Sequence, residues 1–221
     1  MCGRFTLTAS AERLRARFGL AAPPDALAPR FNIAPSQPVL VIPNRARRVL
    51  RPARWGLVPH WASDARIGHR QINARAETLA VRPAFRDALA RQRCLIPADG
   101  FYEWQRGATA RRPFYIRPRD GAPLAFAGLW DLWHPPGGAP LASCPIVTTA
   151  ANETLRPIHD RMPVILPPSA WDTWLDPNPR AAVELQPLLV PCPEDWLALH
   201  EVSTLVNSPK HEDPACIAPL T

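Results

Sequence analysis

Twenty-nine prolines in 221 residues set a ceiling on the length of any regular element in this chain. Proline fixes its own φ, lacks an amide donor and disfavours helix in the residue before it, so long helices and long central strands are excluded. The fold must be assembled from many short pieces. Proline at this level accompanies disorder when apolar residues are scarce, but 47% of these residues are hydrophobic and eight Trp are spread along the chain. The prolines therefore act as punctuation in an ordered, loop-rich fold, of a length that suits one compact domain or two small ones.

Four short helices are expected. One runs from about Ser10 to Phe18, with Ser10 as N-cap, Leu14 and Phe18 on one face, and Gly19 as the stop. A second begins near Pro83 and carries Phe85, Ala88 and Leu89; a third follows Ser169 with Trp171, Trp174 and Leu175; a fourth follows Pro179. Strands are expected at Val39–Ile42, Arg48–Trp55, Cys94–Pro97, Phe101–Gln105, Phe114–Arg117, Leu124–Leu132, Pro145–Thr149 and Val164–Leu166, each bounded by Pro, Gly, Asn or Asp. Asp99-Gly100 is a tight-turn signal, and Pro136-Gly137-Gly138 reads as a mobile loop tip. Many strands without regular strand–helix alternation predict an α+β fold: a curved, largely antiparallel, barrel-like sheet flanked by a few short helices.

Several function classes are not expected. No apolar run approaches the ~18 residues of a membrane span, and Met1-Cys2-Gly3-Arg4-Phe5 lacks the apolar core of a secretory signal. Five Cys, odd in number and without paired spacing, suit a reducing cytoplasm. The six His are scattered singly and no Cys-x-x-Cys occurs, so no metal site is expected. No Gly-rich phosphate loop and no Gly-x-Ser-x-Gly elbow is present, and no cofactor is expected. A formal net charge of +7 fits a polyanionic partner, or simply a solvated basic surface.

Cys2 carries the most specific chemistry, the alternative being an inert buried cysteine, the commonest state of a free thiol. Followed by the small Gly3, it becomes a terminal 1,2-aminothiol once Met1 is cleaved. An α-amine titrates at about 7.7–8.0, so much of it is a free base near neutrality. With the thiol it can condense with an aldehyde to an imine and then close a thiazolidine ring. Lys210 is the sole lysine, so after loss of Met1 only two primary amines remain. Glu103, inside the aromatic run Phe101–Trp104, would be a proton-transfer group if buried and an ordinary edge carboxylate if not. His159, between Ile158 and Asp160, is a candidate acid or base, or a structural histidine. Asn73 offers a donor and an acceptor, or serves as a turn residue. Arg4, Arg75 and Arg161 lie beside Cys2, Asn73 and His159 and suit phosphate oxygens, while Trp55, His60 and Trp61 could stack on unpaired bases or belong to the core.

Eight segments in order make this chain resemble the SRAP family of SOS response-associated peptidases, or abasic-site processing proteins. They are Met1–Phe5, Arg30–Pro35, Arg54–Pro59, Ile72–Thr78, Cys94–Trp104, Ala127–Trp130, Ile146–Asn152 and Ile158–Pro163. The resemblance implies a single SRAP domain over residues 1–221 and self-processing loss of Met1. It also implies covalent capture of abasic sites in single-stranded DNA by Cys2. By the same resemblance Glu103 assists the amine and imine steps, His159 assists sugar ring opening and reversal, and Asn73 positions the amine. Arg4, Arg75 and Arg161 would contact phosphates, Pro35 and Trp61 flanking bases, and Thr148 the same site. A monomer in the cytoplasm, associated with the nucleoid when DNA-bound, is expected. The chain departs from the family pattern at Trp61-Ala62, where relatives often carry two Trp, and in a C-terminal end whose only lysine is Lys210.

Other readings stay open. An N-terminal Cys also opens the class II glutamine amidotransferases, although the later segments do not resemble them. A non-catalytic single-strand binding module would use Arg and Trp alone, and a peptidase acting on other proteins would need a peptide groove.

Overall fold

The computed structural model describes residues 2–22, 27–107 and 110–220. The architecture is α+β, as expected, but the strands form two open sheets rather than one barrel-like sheet. The first has five strands: β1 (Phe5–Leu7), β2 (Arg30–Ile33), β7 (Gly100–Arg106), β8 (Arg111–Pro118) and β14 (Leu197–Glu201), ordered β14-β8-β7-β1-β2. The second contains β3 (Pro38–Pro43), β4 (Arg51–Trp55), β5 (Asn73–Arg75), β6 (Arg93–Ala98), β9 (Leu124–Leu129), β10 (Asp131–Trp133), β11 (Leu141–Cys144), β12 (Ile146–Ala150) and β13 (Arg161–Pro163). Its order is β10-β11-β4-β3-β6-β9-β12-β13, with β5 added alongside β12. Pairing is antiparallel except for β11 with β4 and β5 with β12. None of the helices in the described residues is long and apolar enough to cross a membrane.

The helices are as short as the prolines require. α1 (Ala11–Phe18) is capped by Ser10, whose side chain accepts from the Arg13 amide, and ends at Gly19 in the left-handed conformation (φ 61°). α2 (Arg86–Arg91) starts three residues after Pro83, α3 (Pro168–Trp174) starts on Pro168 itself, and α4 (Ala182–Leu185) is a single turn.

Three strand expectations and one turn need correction. Arg48–Leu50 stays outside β4 because Arg48 turns away to the Phe18 carbonyl (3.2 Å) and the Asp172 carboxylate. The Leu124–Leu132 run breaks at Trp130 into β9 and β10, which join different neighbours. Val164–Leu166 forms only an isolated bridge from Ile165 to Phe126. Asp99-Gly100 does not close a hairpin: it carries the chain from β6 in one sheet to β7 in the other, with the Asp99 carboxylate accepting from the Thr8 and Ala9 amides. Pro136-Gly137-Gly138 is an exposed turn between β10 and β11.

The core lies between the sheets. Phe5 of β1 packs edge-on against Trp55 of β4 (5.2 Å between centroids) and Phe126 of β9 (6.0 Å), and Phe101 of β7 meets the same Phe126 at 5.9 Å. Each such pair adds about 0.5–1.5 kcal/mol beyond the area it buries. Trp55 is fully buried, with its indole N–H on the Ile72 carbonyl, so it is not available to stack on a base.

Arg93, at the start of β6, is fully buried in an unusual way. Its Nε donates to the Trp174 carbonyl, Nη1 to the Leu89 and Ala90 carbonyls, and Nη2 to those of Asp176 and Asn178, at 2.6–3.2 Å. Five donors meet five acceptors, and the guanidinium pins the ends of α2 and α3 together.

Candidate active site

Cys2 reaches its place by strand pairing. β1 and β7 run antiparallel with Phe5 opposite Phe101, and the Tyr102 amide donates to the Arg4 carbonyl at 3.0 Å. Continuing that register backwards lays Gly3 along Glu103 and Cys2 along Trp104. Alternation along β7 then sorts its side chains. Glu103 shares a face with Phe101, which points into the core between the sheets, and is itself only 2% exposed. The alternative left open above, a carboxylate on a solvent face, is thereby excluded.

The second sheet meets this strand end from the other side. Asn73, the first residue of β5, donates from Nδ2 to the Cys2 carbonyl at 2.8 Å. β5 is held parallel to β12, with Asn73 opposite Ile146 and Arg75 opposite Thr148, and β12 pairs on its other edge with β13, where Arg161 lies opposite Ala150. Gln105 of β7 adds a second link, donating to the Pro157 carbonyl at 3.1 Å in the loop that leads to His159. Cys2, Asn73, Glu103, Thr148, His159 and Arg161 thus gather at one seam between the two sheets.

The electrostatics of the seam follow from burial. Desolvation pushes the Glu103 carboxyl up to about 7, so both its acid and its base forms are populated near neutral pH. Cys2 is fully buried, and desolvation together with the Glu103 charge raises its thiol well above the ordinary range. Burial lowers the His159 imidazole below 6.5. The Arg161 amide donates to His159 Nδ1 at 2.9 Å, which places the proton of the neutral ring on Nε2. Asp160 Oδ1 lies 3.0 Å from the same Nδ1 and can pair with it only when the ring is protonated. Thr148 is fully buried. Asn73 Oδ1 and Arg161 Nε are buried without a hydrogen-bond partner among the described residues, which leaves an acceptor and a donor unspent at the seam.

The arginines are not interchangeable. Arg161 clamps Glu77 through both guanidinium ends (2.6 and 2.9 Å) and also donates to the Thr148 carbonyl (2.8 Å), and it holds the Glu77 carboxyl below its usual range. Arg4 donates to Asn32 Oδ1 (2.7 Å) and to the Val206 and Asn207 carbonyls (2.6 and 3.1 Å), tying the start of the chain to its C-terminal part. Arg75 alone of the three is exposed. Pro35 lines a shallow depression of about 470 Å³ with Gly3, Arg4, Trp104, Arg111 and Asn207. Trp61, 52% exposed, lines a separate hollow with Asp64, Arg66 and Arg70. His60 is exposed and is held to Asp131 through Nδ1 at 3.0 Å.

Trp104, Arg111 and Asn207 were not singled out from the sequence as site residues. Trp104 had a signal, since it alternates with Glu103 at the end of a strand, and its indole N–H donates to Asn207 Oδ1 at 2.7 Å. Asn32 and Glu77, which position Arg4 and Arg161, lie in the family-like segments Arg30–Pro35 and Ile72–Thr78, but nothing local marks these roles, because their partners are distant in sequence.

The sequence profile of the family described as SOS response associated peptidase (SRAP) matches residues 1–209. The chain is 44% identical over 221 residues to the abasic site processing protein YoqW of Bacillus subtilis, covering 98% of this chain and 99% of that one. It is 33% identical to the abasic site processing protein HMCES of Gallus gallus, covering 100% of this chain and 78% of that one. A crystal structure of a protein from Bacteroides thetaiotaomicron has the same fold, with a TM-score of 0.89 and 24% identity over the whole of both chains. This chain belongs to the SRAP family.

Proposed function

We propose that this chain, acting as one domain, processes abasic sites in single-stranded DNA by joining the lesion to Cys2. The observation that carries the reading is the placement of Cys2: buried, held through its carbonyl by Asn73, and adjacent to a carboxyl poised near pH 7. Relatives named abasic site processing proteins support the same substrate.

Hydrolysis of the Met1–Cys2 bond would free the α-amine. The Glu103 carboxylate takes a proton from the ammonium form, and the amine then adds to the aldehyde of the ring-opened sugar. The resulting carbinolamine loses water with a proton from the Glu103 acid. The Cys2 thiol adds to the imine carbon, forming the C–S bond while its proton passes to nitrogen. One water leaves, and a thiazolidine remains. A carboxyl near pH 7 suits both directions of proton transfer. His159, neutral with a proton on Nε2, would donate it during sugar ring opening. Asn73 Oδ1 is the spare acceptor that would orient the amine. Arg75 and the exposed Trp61 are available to phosphate and base; Arg4 and Arg161 contribute mainly by shaping the seam, since most of their donors are already engaged.

The test is intact mass after incubation with a single-stranded oligonucleotide bearing one abasic site. Processed wild type and Lys210→Arg form an adduct, and Cys2→Ala forms none. No adduct from chain confirmed to lack Met1 would sink the proposal in favour of non-covalent binding.

A further inference from the structure

Ser36 is the only non-glycine residue with positive φ (70°) among the described residues. It is the third residue of a turn from Ala34 to Gln37, closed by the Gln37 amide on the Ala34 carbonyl at 3.3 Å, with Pro35 in second place. That is the pattern of a type II turn, whose third position glycine fills without strain. Here a serine occupies it, and a strained non-glycine side chain in an otherwise ordinary turn points to a use for that side chain.

The side chain has a definite environment. Ser36 Oγ lies 3.0 Å from His69 Nδ1, and Arg54 Nη2 lies 3.3 Å from His69 Nε2. A guanidinium can only donate, so His69 Nε2 accepts. The neutral ring then carries its proton on Nδ1 and donates it to Ser36 Oγ. The serine hydroxyl hydrogen is then not spent on the histidine and is left to donate elsewhere. This polarity is the reverse of that needed to activate a serine nucleophile, and it makes Ser36 a donor backed by a cation. Backbone packing fixes the relay. Gly56 (φ 124°) and Gly68 meet face to face, such that a Cβ on Gly56 would lie 2.5 Å from the Gly68 carbonyl oxygen. This contact sets the 3₁₀ turn carrying His69 against the end of β4, which carries Arg54.

We propose that Ser36, His69 and Arg54 form a phosphate-binding subsite for single-stranded nucleic acid that leaves the Cys2 seam across Pro35. Pro35 belongs to the depression beside Gly3 and Arg4, so a strand running out of that depression meets Ser36 next. A row of donors with exposed ends and one fixed positive charge is the chemistry of a phosphodiester oxygen contact. The subsite rests on the reading of the chain as a single-strand binder, but not on covalent capture.

The test therefore uses an undamaged single-stranded oligonucleotide and fluorescence anisotropy across a salt series. Ser36→Gly removes the hydroxyl and suits the turn; its dissociation constant should rise about 5- to 10-fold. Its salt slope should equal that of wild type, because a neutral donor releases no counterion. Arg54→Gln should weaken binding and lower the slope by about 0.7. His69→Phe should weaken binding, and His69→Gln, which can accept from Arg54 and donate to Ser36, should restore it. Unchanged dissociation constants in folded Ser36→Gly and His69→Phe would overturn the subsite, as would wild type that does not bind the oligonucleotide. Loss of adduct at abasic sites with these binding shifts intact would overturn only the covalent reading.

Discussion

Arg93, at the start of β6, and Glu103, inside β7, are both ionisable groups removed from water, and the fold treats them in opposite ways. Around Arg93 every donor has a carbonyl, and the cluster joins the ends of α2 and α3. Around Glu103 desolvation dominates: the carboxyl is pushed up to about 7, the neighbouring thiol is raised, and Asn73 Oδ1 and Arg161 Nε carry no hydrogen bond among the described residues. Saturated polar clusters stabilise, whereas clusters with unspent capacity are available to a substrate. Arg93 is committed to folding, whereas the Glu103 cluster is the one to which the proposed chemistry is assigned, although both are buried and polar.

The sharpest way to break that comparison is Arg93→Met. Carbonyls of α2, α3 and the 176–178 loop would lose their donor at about 1–3 kcal/mol each. We expect a loss of at least about 3 kcal/mol of unfolding free energy, read from urea denaturation, and a fully stable variant would refute the structural assignment. Glu103→Gln should behave in the opposite sense. The adduct-forming rate should fall about 100-fold. Stability should nevertheless rise at high pH. The folded carboxyl has a pKa near 7 against 4.5 in the unfolded chain, so wild type loses stability relative to the Gln variant as pH rises through that window. The two proteins should match at pH 4.5, and the variant should be more stable at pH 8 by up to about 3 kcal/mol. A rate that is unchanged, or a variant less stable at pH 8, would remove Glu103 from the centre.

Smaller effects sharpen the distinction. Asn73→Ala deletes one hydrogen bond, so global stability should drop by about 1 kcal/mol, while adduct formation, measured by intact mass against time, should slow about tenfold. Trp61→Ala should leave unfolding unchanged, because the ring is half exposed, and weaken single-strand affinity about fivefold by anisotropy.

Much of this was legible in the sequence where local rules dominate. Ser10, Leu14, Phe18 and Gly19 specify α1 without help from the rest of the chain, and the apolar runs of β3, β6 and β7 read directly. The strands that escaped, β1, β2, β5, β11, β13 and β14, have three to five residues each, too few for alternation to stand out. Two open sheets instead of a barrel-like one could not be read, because the crossing at Asp99 is fixed by its carboxylate bonding to Thr8 and Ala9, far back in the chain. The same holds at the centre. Cys2, Asn73, Glu103 and His159 came from motifs, but the engagement of Arg4 with Asn32 and of Arg161 with Glu77 depends on pairings that only the folded sheets create.

The bond from Asn73 to the Cys2 carbonyl has a consequence for the order of events. Cys2 presents three polar groups, and the proposed sequence of reactions uses two of them: its nitrogen is released by hydrolysis and consumed by the aldehyde, and its sulfur closes the ring. The carbonyl takes part in neither. Because the fold grips the residue by this spectator group, the proposed reactions would let the same grip serve the precursor, the liberated terminus and the ring-closed product, with no re-registration between one stage and the next.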